Sequence, residues 1–457
     1  MTAPDRLSTE AALQALLHAA PRRYRMPALP PTLADARVAG GDAVLAFAIE
    51  AARRDSLQGR APDAPLGEAF VEALAASIRR AMGAEGDPAF QAEVLRAREP
   101  QVQAWGQLAA QAASDERSLR SAVDAVAHPG KLRAMPEGPQ RRSLEDLHSL
   151  AAAADWAGLA SKAASLVASG APELRQVAAS PALERLQQAL ALRSTERVDQ
   201  YLALRARGGP QVGSAAAIDQ GRASAREGQL AEQAAAASLS RVAALLDDDV
   251  SPAHRVVRSL HTPRELMATG GEGAKEEWDA AIVRRSGDGT DALVLLAEAK
   301  NAPAAATTDL PRLLRGLDQL SSADPHAAHA FKSADGEVRL RGDSLQALRP
   351  QDGALPAHVI YLCTAAAEAR VALLAASARA RLLAEGASLR FAAALDAALD
   401  AGGGPSPADL MPVWEAVMRE PRLRPVLSQY DTARRAREAM LHPDDLAAAA
   451  DARLDRR

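Results

Sequence analysis

Two carboxylates and an amine stand at a spacing that suits phosphodiester hydrolysis. Asp279 follows Trp278, and Glu298-Ala299-Lys300 comes after 18 further residues. Oxygen ligands suit Mg²⁺, which takes one or two carboxylates and leaves room for water and a substrate phosphate. Such an ion stabilises charge developing on phosphorus and makes water more acidic. A neighbouring lysine can orient or deprotonate the attacking water, because its pKa drops readily on burial; arginine stays protonated. Lysine is scarce in this chain. Of 54 Lys+Arg, only positions 131, 162, 275, 300 and 332 are lysine, which makes Lys300 more telling. The competing reading is a solvated strand end carrying a surface ion pair, which contributes little stability.

Strands must position these groups. Glu277 to Arg285 and Ala292 to Asn301 are the two best strand candidates, and Ser286-Gly287-Asp288-Gly289-Thr290 between them is a hairpin turn. Side chains alternate faces along a strand. Asp279, Ala281 and Val283 therefore share a face, as do Val294, Leu296, Glu298 and Lys300. A hairpin symmetric about Asp288-Gly289 sets Asp279 opposite Glu298, with Cβ atoms about 4.5–5.5 Å apart. Two acids so placed repel unless a cation sits between them. A slip of one residue would put them on opposite faces.

The wider chain is expected to be α+β overall with high helix content. Ala and Leu dominate the 48% hydrophobic residues, aromatics are only 3%, and both Ala and Leu favour helices. Residues 1–206 read as an Ala/Leu-rich helical region; Leu183, Leu186 and Leu190, then Val198 and Leu202, have helical spacing. Gly and Pro cluster from Arg207 to Ser214 and mark a linker. Residues 215–394 form the chemistry-bearing domain, and 395–457 a helical tail. Within that domain, Arg222 to Leu246 is a helix with Leu230, Leu239, Val242 and Leu246 toward a core, ended by a solvated acidic turn at Asp247-Asp248-Asp249. His254 to Leu260 is a short strand, Asp309 to Leu320 a helix, and His358 to Cys363 a buried strand.

Composition excludes several classes. The net charge of -4 gives no global pull toward nucleic acid, so any phosphate contact must be local. No apolar run approaches the roughly 20 residues needed to span a bilayer. The first residues lack an apolar leader, and the single cysteine, Cys363, excludes an intrachain disulfide. A cytoplasmic protein without membrane contact is expected. No phosphate-binding P-loop, zinc-binding spacing or serine-nucleophile elbow occurs. His254 and His261 read as structural or exposed, His326 and His329 as loop residues after Asp324-Pro325, and Cys363 as an inert core thiol.

The Asp279…Glu298-Ala299-Lys300 pattern resembles the signature of the PD-(D/E)xK nuclease superfamily, which includes restriction endonucleases and junction resolvases. So does the helix-strand-strand-strand-helix-strand order around it. The resemblance covers residues 215–394 and does not reach the N-terminal half. It implies a restriction-endonuclease-like α-β-β-β-α-β core and metal-dependent hydrolysis of nucleic acid, DNA in the first instance. Asp279 and Glu298 would bind Mg²⁺, with Mn²⁺ as the alternative, and Lys300 would act on the water. An acidic residue on the first core helix would join them: Glu232, with Glu227 as runner-up. Gln319 matches a glutamine some members carry on the helix after the lysine strand. Arg312, Arg315 and Gln319 share the polar side of that helix, where they could meet phosphates. Trp278 replaces the signature proline, and Ala323 stands where a tyrosine often follows the glutamine; the subfamily is unassigned. The N-terminal region would serve a protein partner, self-association or substrate binding. The rival is a non-catalytic interaction or scaffold protein with a degenerate nuclease-like fold, which the near-neutral charge and the lack of aromatic stacking platforms favour.

Overall fold

The uninterrupted apolar runs Ala280–Val283 and Leu293–Ala297 build a sheet covered on both faces. The computed structural model describes residues 3–210, 213–247, 253–267, 273–401 and 404–455. Its strands are β1 (His254–His261), β2 (Glu277–Arg285), β3 (Asp291–Lys300), β4 (Ala328–Ser333), β5 (Gly336–Arg341), β6 (Val359–Cys363) and β7 (Met440–Leu441). They join in one mixed sheet of order β2-β1-β4-β5-β3-β6-β7, and β2 also pairs with β3. The first three strands form an antiparallel meander. β6 then runs parallel to β3, from Leu296↔Val359 to Lys300↔Cys363, and β7 parallel to β6. The hairpin β4–β5 links the end of β1 to the start of β3, through His261↔Lys332 and Asp291↔Leu340.

A crossover helix, Pro303–Leu320, lies on one face of the sheet. Its Leu310, Leu313, Leu317 and Leu320 pack with Ala281, Val283, Leu296 and Tyr361. Pro303 opens it at the first position, where the missing N–H costs nothing. On the other face Ala280, Ile282, Leu295, Ala297, Ile360 and Leu362 meet Ala235, Leu239 and Val242 of the long helix Ala215–Leu246. Leu13 and Leu16, with Leu446 and Ala450, complete that layer. Leu230 does not join it: it is 63% exposed, because it lies on the helix face opposite Leu239, while its neighbour Ala231 is buried.

The chain divides into two compact units, each discontinuous in sequence. Met1–Ser77, Val212–Leu382 and Leu410–Arg457 form the sheet-bearing unit; Ile78–Gln211 and Leu383–Asp409 form a helical one. This differs from three consecutive segments broken at 206, 215 and 395. One crossing falls at the Gly/Pro linker, but the first 77 residues and the tail belong with the sheet, whose apolar face needs Leu13, Leu16, Leu446 and Ala450 as cover. In the helical unit Leu119, Val123, Leu147, Trp156, Leu159, Leu183 and Leu186 share a core, whereas Leu190 is half exposed. No helix among the described residues is long and apolar enough to cross a membrane.

The hairpin register departs instructively from the symmetric expectation. Near the turn, Arg285 pairs with Asp291 and Val283 with Leu293, which centres the turn on Asp288 alone. A β-bulge between Ile282 and Val283 then takes up Val294, so that Ile282 pairs with Leu295 and Ala280 with Ala297. From there toward the site, the register is the one that a turn centred on Asp288-Gly289 predicts. Three strands escaped the sequence reading. β4, with His329 in it, falls where a loop was expected, and β5 in a stretch to which no element was assigned; the two-residue β7 lies inside the tail expected to be helical.

Candidate active site

Glu298 is fully buried near the end of β3, on the face covered by the crossover helix. Lys275, from the segment preceding β2, places its Nζ 2.6 Å from Glu298 Oε2, and Lys300 Nζ lies 3.3 Å from the same oxygen. Glu298 Oε1 is buried without a hydrogen-bond partner. Burial, above all, and then the charge of Asp279 push the Glu298 carboxyl up to about 8, against the pull of both lysines.

Lys300 is shared between acids. Its Nζ also lies 3.2 Å from Asp309 Oδ2 on the crossover helix and 5.8 Å from the centre of the Tyr361 ring. The Tyr361 hydroxyl donates to the same Asp309 oxygen at 3.4 Å. Burial works against the ammonium, but Glu298, Asp309 and Asp279 outweigh it and hold the Lys300 pKa above its ordinary value. The expectation that burial would lower it is thereby corrected. As placed, Lys300 is a donor shared between Glu298 and Asp309. Tyr361 keeps its proton, because burial and the nearby acids raise its pKa.

Asp279 lies one residue past the last β2–β3 pair, Ala280↔Ala297, in a stretch of β2 still paired with β1. Its Oδ2 accepts from the Ala299 backbone N–H at 2.8 Å, which ties it to β3 between Glu298 and Lys300. Glu232 is exposed on the long helix, yet its pKa is raised by burial, then by Asp279 and Glu277, with Lys275 and Lys300 opposing. It therefore feels this same cluster. The runner-up Glu227 accepts from Asn301 Nδ2 at 3.2 Å, just past the end of β3.

The structure brings together Asp279, Glu298 and Lys300, with Glu232 at the margin. It does not bring Gln319 to them. Gln319 lies ten residues beyond Asp309 on the same helix, about 15 Å of helical rise. It is buried, not on the exposed side with Arg312 and Arg315, and its Oε1 has no partner. Arg315 instead donates to the Gly273 carbonyl at 2.9 Å. Among the other residues considered, His254 is buried and its Nδ1 meets Asp247 Oδ1 at 2.7 Å, so Asp247 serves the chain locally; Asp248 and Asp249 lie outside the described residues. Cys363 is buried in β6, where burial raises its thiol pKa.

Sequence reasoning missed Lys275, Asp309 and Tyr361. The scarcity of lysine carried a signal for Lys275, and a lone hydroxyl in the apolar run Val359–Cys363 a weaker one for Tyr361. Asp309 had none.

Among the described residues, no group of three or more His, Cys, Asp or Glu side chains is placed to hold a metal ion. A two-carboxylate set still fits Mg²⁺, which keeps several waters and takes one or two acids. Asp279 and Glu298 supply such a set, and the unpartnered, buried Glu298 Oε1 is the open acceptor. No family model, curated protein or solved structure matches this chain.

Proposed function

We propose that the sheet-bearing unit is a metal-dependent phosphodiesterase acting on nucleic acid, DNA in the first instance. The observation that carries this reading is the buried Glu298: Lys300 bonds one of its oxygens, the other is unpartnered, and Asp279 stands close enough to perturb its proton affinity. The long helix, the meander β1–β2–β3, the crossover helix and the parallel strand β6 follow in the order of a restriction-endonuclease-like core, which supports the same reading.

Asp279 and Glu298 would hold the cation, with Glu232 near enough to add charge. A divalent ion there would supply Lewis-acid charge for the phosphoryl group and for the attacking water. The chain's own groups do the rest. The Ala299 N–H fixes the Asp279 carboxylate. Asp309 and Tyr361 hold the Lys300 ammonium on its strand, where it can donate to a water or to a phosphate oxygen. Bonded to both Glu298 and Asp309, Lys300 would orient the water and stabilise negative charge.

A second reading, a non-catalytic interaction protein, draws on Lys275, whose ammonium already neutralises Glu298. One experiment separates the two. Purified protein is incubated with plasmid, linear DNA and RNA in Mg²⁺, Mn²⁺ or EDTA. Cleavage that requires the metal and disappears in Lys300→Ala supports the nuclease. Absence of cleavage on every substrate, with no divalent ion bound by calorimetry, would leave the interaction protein.

A further inference from the structure

Two of the chain's five lysines converge on one carboxylate oxygen, and the nearer of them has no place in the chemistry described above. Lys275 is 8% exposed, and its Nζ is closer to Glu298 Oε2 than that of Lys300, 2.6 against 3.3 Å. The main chain that carries it is held from two sides. Gly316 of the crossover helix passes so close that a Cβ there would lie 2.9 Å from the Lys275 carbonyl oxygen and 3.0 Å from both Lys275 Cβ and the Trp278 ring. Arg315 holds the Gly273 carbonyl, and Thr262 N–H donates to the Glu276 carbonyl at 2.8 Å. A surface lysine needs no such fixing.

A buried carboxylate costs several kcal/mol unless a counter-charge accompanies it. In this structure that counter-charge is Lys275 together with Lys300. A divalent cation on the same carboxylate would stand a few ångströms from the Lys275 ammonium, and like charges at that range in a buried site repel strongly. We propose that Lys275 is a resident counter-ion of Glu298 that competes with the divalent cation and so sets the metal affinity of the site. The inference rests on the metal-dependent reading given above. Lys275 acts through Glu298 and is a positioning residue. A cation on the open Oε1 would face the Lys275 ammonium across the same carboxylate and weaken its hold on Oε2, whereas Lys300 keeps Asp309 as a second partner.

The test is calorimetric titration of the full-length protein with Mn²⁺, without substrate, in wild type, Lys275→Met and Lys275→Gln. Both variants are expected to bind Mn²⁺ at least about tenfold more tightly than wild type. In EDTA their melting midpoints should fall below that of wild type, and Mn²⁺ should restore them. Unchanged or weaker binding in the variants, with wild type still binding, overturns the role of Lys275 and leaves the metal site standing. No binding by wild type or by either folded variant overturns both. Should the variants need the ion to fold, refolding in Mn²⁺ recovers them; failure to recover there also overturns the proposal.

Discussion

The two units of the chain differ in how completely they satisfy the polar groups they bury. The helical unit buries Asp115, and Arg185 grips both its oxygens, Nε to Oδ2 at 2.8 Å and Nη2 to Oδ1 at 2.5 Å. Those bonds, against a smaller effect of burial, hold the Asp115 carboxyl below its ordinary range. In the sheet-bearing unit, Glu298 meets lysines on one oxygen only, and its carboxyl is pushed up. Seven buried side-chain atoms without a partner are found among the described residues, on His254, Arg255, Asp291, Glu298, Gln319, His329 and Arg379, and all lie in the sheet-bearing unit. Arginine forks satisfy an acid whose task is to hold a structure together. An acid left with spare capacity, and matched to amines instead, is the better candidate for chemistry.

That contrast can be broken most directly by exchanging the acids. Glu298→Gln and Lys300→Ala are expected to lower metal-dependent cleavage at least about 100-fold, while Asp115→Asn stays within about twofold and shows its cost only as a lower melting midpoint. Equal losses from all three would erase the distinction. Gly316→Ala comes next. Its methyl must push against the Lys275 carbonyl and the Trp278 ring, costing about 1–3 kcal/mol in urea denaturation, with slower cleavage as Lys275 is displaced. Glu50, in the sheet-bearing unit, sharpens the comparison, because it is a buried acid held by arginines, Arg53 at 2.7 and 2.8 Å and Arg54 at 3.0 Å. Glu50→Ala should cost about 1–3 kcal/mol of stability and leave Mn²⁺ affinity untouched by calorimetry.

The smallest effect concerns pH. Burial, partly offset by Asp247, lowers the His254 pKa beneath its ordinary 6.5. Between the depressed folded value and 6.5 the unfolded chain binds more protons, so stability is complete above 6.5 and is lost as pH falls below it. Melts from pH 8 to 5 should show a decline that His254→Gln reduces. An unchanged slope would mean that the buried ring titrates as it does in the open chain.

Much of this site was legible because strands repeat every two residues. Apolar alternation alone places Asp279 with Ala281, and Glu298 with Leu296 and Lys300, and the turn residues bound the hairpin. The long helix, the crossover helix and β6 were readable from the spacing of Leu and Val. What lay hidden depends on tertiary approach. The tail residues Met440 and Leu441 become a strand only because β6 offers them an edge. Asp309 reaches Lys300 because the crossover helix folds back over β3, and no local pattern announces that. Leu230, nine residues before Leu239, lies half a turn away on the opposite face of its helix and is exposed.

The bulge at Ile282–Val283 has a practical consequence. Because Val294 absorbs the odd residue within the strand, the pairing next to the tip, residues 286–290, and the pairing toward the acids differ by one residue. Lengthening that tip, or grafting a fluorophore or an affinity peptide there, leaves the two acids in step. Deleting Val294 alone would remove the unpaired residue and make the ladder regular, with Ile282 still opposite Leu295 and Ala280 still opposite Ala297.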